Sequence, residues 1–167
     1  MIAASDFSAI IPLGSATLFG AIIGLNRQLH RKPAGLRTHA LVALGSALAA
    51  LMVSRLAHGD PNAASRVLQG AVTGIGFIGA GVIMHHDAES RVEGLTTAAS
   101  VWVAAMVGLG CGTGLVIEAT MALCLTMFLL IAGGQIERAF ARLFAHQSGK
   151  PADSATSSCV DGDNIEA

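Results

Sequence analysis

Gly74-Ile75-Gly76-Phe77-Ile78-Gly79-Ala80-Gly81-Val82-Ile83 lies at the centre of an uncharged stretch, residues 67–84. Arg66 precedes it, and His85, His86 and Asp87 follow it. The stretch is close to the roughly 20 apolar residues that cross a bilayer core. Its glycines are too dense for a free-standing helix, where each costs about 1 kcal/mol relative to Ala. In lipid they let a second backbone come close, and such van der Waals contact holds membrane helices together. The stretch therefore reads as the central helix of a small membrane bundle. Gly74, Gly76 and Gly79 also satisfy G-x-G-x-x-G, with Glu93 about 20 residues beyond Gly74. A dinucleotide site needs a strand before the glycines and an amphipathic helix after them. Here a polar turn precedes them and the apolar run continues, which excludes that reading.

Working outward, the composition gives the same class. Of 167 residues, 53% are hydrophobic and 13% charged, against about 25% charged in soluble domains. The apolar residues come in blocks, as in a polytopic membrane protein. A net charge of −1 gives nucleic-acid binding no support. Cys111, Cys124 and Cys159 form no C-x-x-C motif, so neither a disulfide framework nor a structural metal site is expected.

Residues 7–25 form the first span, with Gly20 and Gly24 one turn apart on one face. No Lys or Arg precedes this run, so it is expected to stay as a helix and not to be cleaved. Residues 26–37 read as a loop holding Arg27, Arg31, Lys32 and Arg37, and 36–56 as the second span. Gly59-Asp60-Pro61-Asn62 is a turn in which Asp60 or Asn62 can cap the central helix. Residues 85–93 form a polar loop. The fourth segment, 95–109, is short at about 15 residues, roughly 22 Å of helix. Residues 110–114 are a tight turn, 115–131 the fifth span, and 135–146 an amphipathic continuation at the membrane surface. The domain reading is a membrane domain over 1–146 and a disordered polar tail over 147–167. With the amino terminus outside and five crossings, the inside receives Arg27, Arg31, Lys32, Arg37, Arg91, Arg138, Arg142 and Lys150, and the outside only Arg55 and Arg66. The positive-inside rule favours that orientation, with a cytoplasmic carboxy terminus. The expected fold is an all-α, glycine-packed bundle of about five transmembrane helices.

Three segments resemble the signatures of the MgtC/SapB family of bacterial inner-membrane proteins. The first is Ala34-Gly35-Leu36-Arg37-Thr38-His39 followed by Leu41-Val42-Ala43-Leu44-Gly45-Ser46-Ala47. The second is the glycine-rich decapeptide quoted above. The third is Gly94-Leu95-Thr96-Thr97-Ala98-Ala99-Ser100-Val101-Trp102. They occur in the family's order and at similar spacing. The resemblance implies an inner-membrane protein linked to magnesium limitation and to survival of pathogens inside macrophages. It implies a non-catalytic regulator that contacts a membrane partner such as the membrane sector of the ATP synthase. An older association of the family with magnesium transport makes a channel or carrier component the alternative. The chain looks like a short form, ending before the ACT-like soluble domain of longer members. The family commonly has an acid before the arginine that follows the first span. This chain has Asn26-Arg27, so a charge pair there would be lost.

Arg27, Arg31 and Lys32 read as positive-inside topology residues. Arg37, inside the first signature and just before an apolar run, is expected to be partly buried and to pin its loop to the 85–93 loop through Asp87, Glu89 or Glu93. Thr38 belongs to the same signature. Thr96 and Ser100 are one turn apart on one face of the fourth segment. Thr96 is the leading candidate there, with Thr97 beside it and Thr73 of the central helix able to face the same hydroxyls. Gly20, Gly24, Gly70, Gly74, Gly76, Gly79 and Gly81 are the candidate packing glycines. Glu118 reads as a helix-start residue near the interface. His85 and His86 read as polar loop residues. Only Asp87, Glu89 and Glu93 suit magnesium's preference for oxygen ligands, and they make a weak metal site at most. No cofactor and no catalytic residue set is expected, and no Walker motif is present. The lipid bilayer and a second copy of the chain are the expected partners besides the ATP synthase.

Overall fold

The computed structural model describes residues 8–56, 60–86 and 91–147, with the backbone alone for 84–86, 91–92 and 136–147. Among the described residues, five α-helices and one pair of short strands follow one another: α1 Ile10–Leu29, α2 Leu36–Leu56, α3 Pro61–Val82, β1 Met84–His86, β2 Arg91–Glu93, α4 Leu95–Gly112 and α5 Val116–Gln147. The described residues up to Ala132 form one compact unit and those from Gly133 a second. The proposed tail, Asp87, Glu89 and Cys159 lie outside the described residues.

Among the described residues, four helices are long and apolar enough to cross a membrane: α1, α2, α4 and the Val116–Gln135 part of α5. α3 is not among them. Its first turns carry Asn62, Ser65, Arg66 and Gln69, and glycine supplies little hydrophobicity further on. Its place in the bundle is nevertheless fixed by its neighbours. α2 and α4 run parallel, since His39 meets Ser100 at one end and Gly112 meets Ala47 and Ala50 towards the other. Parallel neighbours need a return leg between them. α3 provides it, running antiparallel to α4 with Gly79 against Ala98 and Ile75 against Val101 and Ala105.

The centre of the bundle is α4, not the glycine-rich stretch. Thr97, Ser100, Val101, Ala104, Ala105, Val107, Gly108, Leu109, Cys111 and Gly112 of α4 are buried, whereas α3 buries only Ile75 and Gly79. Phe77 of α3 is 84% exposed. The reason is side-chain size. Seven of the buried positions of α4 are small (Thr97, Ser100, Ala104, Ala105, Gly108, Cys111 and Gly112), so neighbouring backbones can approach it. A methyl on Gly108 would run into the Ala43 carbonyl, and one on Gly112 into the Ala47 carbonyl. On α1, a Cβ at Gly20 would lie 2.7 Å from the Ala43 Cβ, and one at Gly24 2.7 Å from Leu36 Cα. These four glycines form the seam of α1, α2 and α4. Gly70, Gly74, Gly76 and Gly81 have nothing within 4 Å of where a Cβ would stand. Apolar packing fills the remainder: Ala16, Ala47, Val107, Cys111 and Ala119 towards one end, and Ile23, Ala104 and Leu123 towards the other.

The ends of the elements follow local chemistry. Asp60 caps α3, its carboxylate accepting from the Asn62 N–H at 2.9 Å with Pro61 at the first helical position. Where a polar loop over 85–93 was expected, β1 and β2 pair antiparallel, Met84 with Glu93, His85 with Val92 and His86 with Arg91. Gly94 turns the chain from β2 into α4 at φ 96°, a conformation that suits glycine. α1 continues through Asn26, Arg27 and Gln28 to Leu29, so the expected loop begins four residues late. α4 likewise extends to Gly112, leaving a shorter turn than expected.

Candidate functional site

Where α1 ends and α2 and α4 begin, five polar side chains are buried together or side by side. They are Asn26 and Arg27 of α1, His39 of α2, and Thr97 and Ser100 of α4. Each is placed by a helical stripe. Gly20, Ile23, Gly24 and Arg27 share the buried face of α1, and His39, Ala43, Ser46, Ala47 and Ala50 that of α2. The small residues bring the backbones close enough for the polar ends to meet.

Arg27 is 5% exposed and Thr97 1%. The Arg27 Nη2 donates to the Thr97 hydroxyl at 3.0 Å. Arg27 Nε and Asn26 Oδ1 are buried and have no hydrogen-bond partner among the described residues. His39, fully buried, stands 2.9 Å by Nδ1 from the Gly35 carbonyl, so Nδ1–H donates there. Its Nε2 lies 3.0 Å from the Ser100 Oγ. The Ser100 hydroxyl is also 2.8 Å from the Thr97 carbonyl, to which it can donate. One hydroxyl proton thus faces two acceptors. A neutral imidazole takes it at Nε2. If Ser100 gives it to the carbonyl, Nε2 must carry its own proton.

The sequence-derived candidates divide. Thr97 and Ser100 join this cluster. Thr96 is exposed, as is Arg37, and Thr38 is half-buried. Arg37 was expected to be the partly buried arginine; Arg27 holds that position instead. The i, i+3, i+4, i+7 spacing of Gly20, Ile23, Gly24 and Arg27 was the signal for it. Thr73 is exposed and donates to the Gln69 carbonyl at 2.8 Å. Glu93 is exposed, and Glu118 is exposed in the first turn of α5. Among the described residues no group of three or more His, Cys, Asp or Glu stands together to hold a metal ion. Asn26, Arg27, His39, Gly108 and Gly112 were not singled out from the sequence as site or packing residues. His39 heads a strict α-helical stripe of small residues, and Gly108 and Gly112 form a G-x-x-x-G pair. Both signals were available.

Chemically, the cluster can join three helices and hold a positive charge and a shared proton away from water. The Ser100–His39 pair has the contact distance of a nucleophile and base. Ser100 is 3% exposed and His39 fully buried, so the pair is shielded from bulk water. A second feature lies on the outside. Val42, Gly45 and Ala49 of α2 and Ala71, Gly74 and Ile78 of α3 line an open apolar groove of about 450 Å³.

These features define a polytopic α-helical membrane protein with a glycine-sutured centre and a buried polar cluster at one end. The chain belongs to the MgtC family, whose sequence pattern matches residues 13–139. It is 40% identical to Protein MgtC of Salmonella typhimurium over 82% of this chain and 56% of that protein. It is 43% identical to Protein MgtC of Brucella abortus over 71% of this chain and 47% of that protein. Protein SrpB of Synechococcus elongatus is 49% identical over 58% of this chain and 60% of its own length. The chain thus spans about half the length of these relatives. No solved structure matches it.

Proposed function

We propose that this chain is a non-catalytic regulatory protein of the bacterial inner membrane, tied to magnesium limitation, that acts by helix contact with a membrane partner. The observation that carries this reading is the uncovered glycine face of α3. Gly74 has open space where a Cβ would stand and lines the groove beside α2. In lipid, such a face invites another backbone to within van der Waals contact. The partner proposed from the family resemblance is the membrane sector of the ATP synthase, with a second copy of the chain as a further occupant. The proposed orientation places Arg27, Arg31, Lys32 and Arg37 on the cytoplasmic side. A magnesium path is the weaker reading, because the buried polar cluster centres on the positive charge of Arg27, which repels cations.

The test is ATP-driven proton pumping in inverted inner-membrane vesicles, with and without the chain at native abundance. Reduced pumping that Gly74→Leu restores supports the proposal, since Leu fills the groove and leaves the seam of α1, α2 and α4 untouched. Unchanged pumping removes the ATP synthase as the direct partner. Magnesium flux through the purified chain in liposomes would overturn the regulatory reading altogether.

A further inference from the structure

We propose that the end of the bundle around Arg27 binds a phosphate-bearing anion, supplied by the headgroup of an anionic phospholipid. The argument begins with an uncompensated charge. Arg27 is 5% exposed, and among the described residues its one hydrogen bond goes to a neutral hydroxyl and its Nε has none. Burying a guanidinium in a membrane domain is costly unless a counter-charge reaches it. Residues 7–59, which comprise α1, its loop and α2, contain no Asp or Glu. The neighbouring side chain that could have been an acid is Asn26, whose carbonyl oxygen is itself buried and unpartnered.

Helix polarity sharpens the mismatch. Thr97 sits in the first turn of α4, so the guanidinium lies against the positive end of that helix. The first intrahelical bond of α4 runs from the Ala98 N–H to the Gly94 carbonyl. The N–H groups of residues 95–97 come before it. α2 begins at the same end, at Leu36. Arg27 lies in the last turn of α1, whose negative end offsets part of its charge. What remains is a buried cation beside two helix amino-terminal ends, an arrangement that an oxyanion satisfies and a cation does not. Arg31, Lys32 and Arg37, all exposed, lie in or beside the loop that joins α1 to α2 at this end. A loop-end position next to a membrane-spanning segment is at headgroup depth. A phosphodiester there takes charge-assisted hydrogen bonds from Arg27.

The experiment uses the full chain in nanodiscs of phosphatidylcholine. Phosphatidylglycerol is titrated in one arm and inorganic phosphate added in the other, with thermal unfolding and lipid retention by native mass spectrometry as readouts. Phosphatidylglycerol is expected to be retained at least about tenfold over phosphatidylcholine. Lys32→Gln should lower that preference by about fivefold, the effect of one surface charge. Arg27→Gln should abolish it. Asn26→Glu gives Arg27 an internal carboxylate, so it should also abolish the preference while unfolding no earlier than the parent. That variant keeps Arg27 and carries the test even if Arg27→Gln fails to fold. Stabilisation by inorganic phosphate alone, with the same sensitivity to Asn26→Glu, would support the oxyanion site with a free anion as its source. Equal retention of the two lipids without any phosphate effect, or an undiminished preference in Asn26→Glu, overturns the proposal.

Discussion

Replacing Gly108 with Ala tests whether backbone contact at α4 holds the polar cluster together. The added methyl would stand 2.8 Å from Ala43 Cα and 2.9 Å from Ala43 C, besides meeting the carbonyl oxygen. These are backbone atoms of α2 and cannot rotate away. Restoring ordinary contact requires α2 and α4 to part by about 1 Å in a tightly packed interior. The Ser100–His39 contact at 3.0 Å bridges the same two helices, and such a shift takes it beyond hydrogen-bond range. Overpacking costs about 1–3 kcal/mol, and an interhelical hydrogen bond in a membrane protein contributes about 0.6 to 1.7 kcal/mol. The combined loss should be about 2–4 kcal/mol, read as a shift in the midpoint of reversible unfolding in mixed detergent micelles. Gly74→Ala is the paired control. Its methyl meets nothing within 4 Å, so its effect should lie within about 1 kcal/mol, with helix propensity on the side of Ala. Equal losses for the two variants would refute the assignment of the seam to α4.

Thr97→Val removes the hydroxyl that accepts from Arg27 and should cost about 1–3 kcal/mol in the same unfolding assay. Thr96→Val, on the exposed side of the same turn, should stay within about 0.5 kcal/mol. A double-mutant cycle on Ser100→Ala and His39→Phe should give a coupling of about 0.6 to 1.7 kcal/mol; a value near zero would mean that the contact adds nothing. Asp60→Ala should lose about 0.5–2 kcal/mol through the cap of α3, and Asp60→Asn should recover most of it. Single cysteines placed at His30, Asp60 and Thr113 in a cysteine-free background test the return leg. A membrane-impermeant maleimide should reach positions 60 and 113 from one face and position 30 from the other. Labelling of position 113 from the same face as position 30, with position 60 on the other, would remove α3 as a crossing.

The class and the succession of helices were legible because long uncharged blocks leave few alternatives in any solvent. Gly20 and Gly24 were legible as a close-approach pair, and the structure puts both against α2. The central element was not. Glycine content drew attention to residues 67–84, but glycine permits contact without requiring it. Whether a glycine face is used inside the chain or left open depends on what neighbours it, which spacing alone does not reveal. Burial of α4 was hidden for the opposite reason. A helix with apolar residues on every face has no single stripe to give it direction. Arg27 was read as topology because it follows a hydrophobic run within a basic segment. Only the helix continuing past Asn26 turns its side chain inward. The pairing of residues 84–86 with 91–93 was missed because three-residue strands carry almost no pattern.

The cluster also has a history in time. Arg27 and Thr97 are separated by 70 residues of chain. At about 5–20 residues per second of synthesis, α1 leaves the ribosome roughly 4–14 s before α4 is made. During that interval the guanidinium has no partner from the chain and must remain near the aqueous boundary. α1 and α2 can pair at once through Gly20 and Gly24. α4 must then enter beside a hairpin already in the bilayer, and its arrival draws the arginine inward. Assembly therefore has a late locking step. Nascent chains halted before residue 95 should still present Arg27 to water, and longer ones should conceal it.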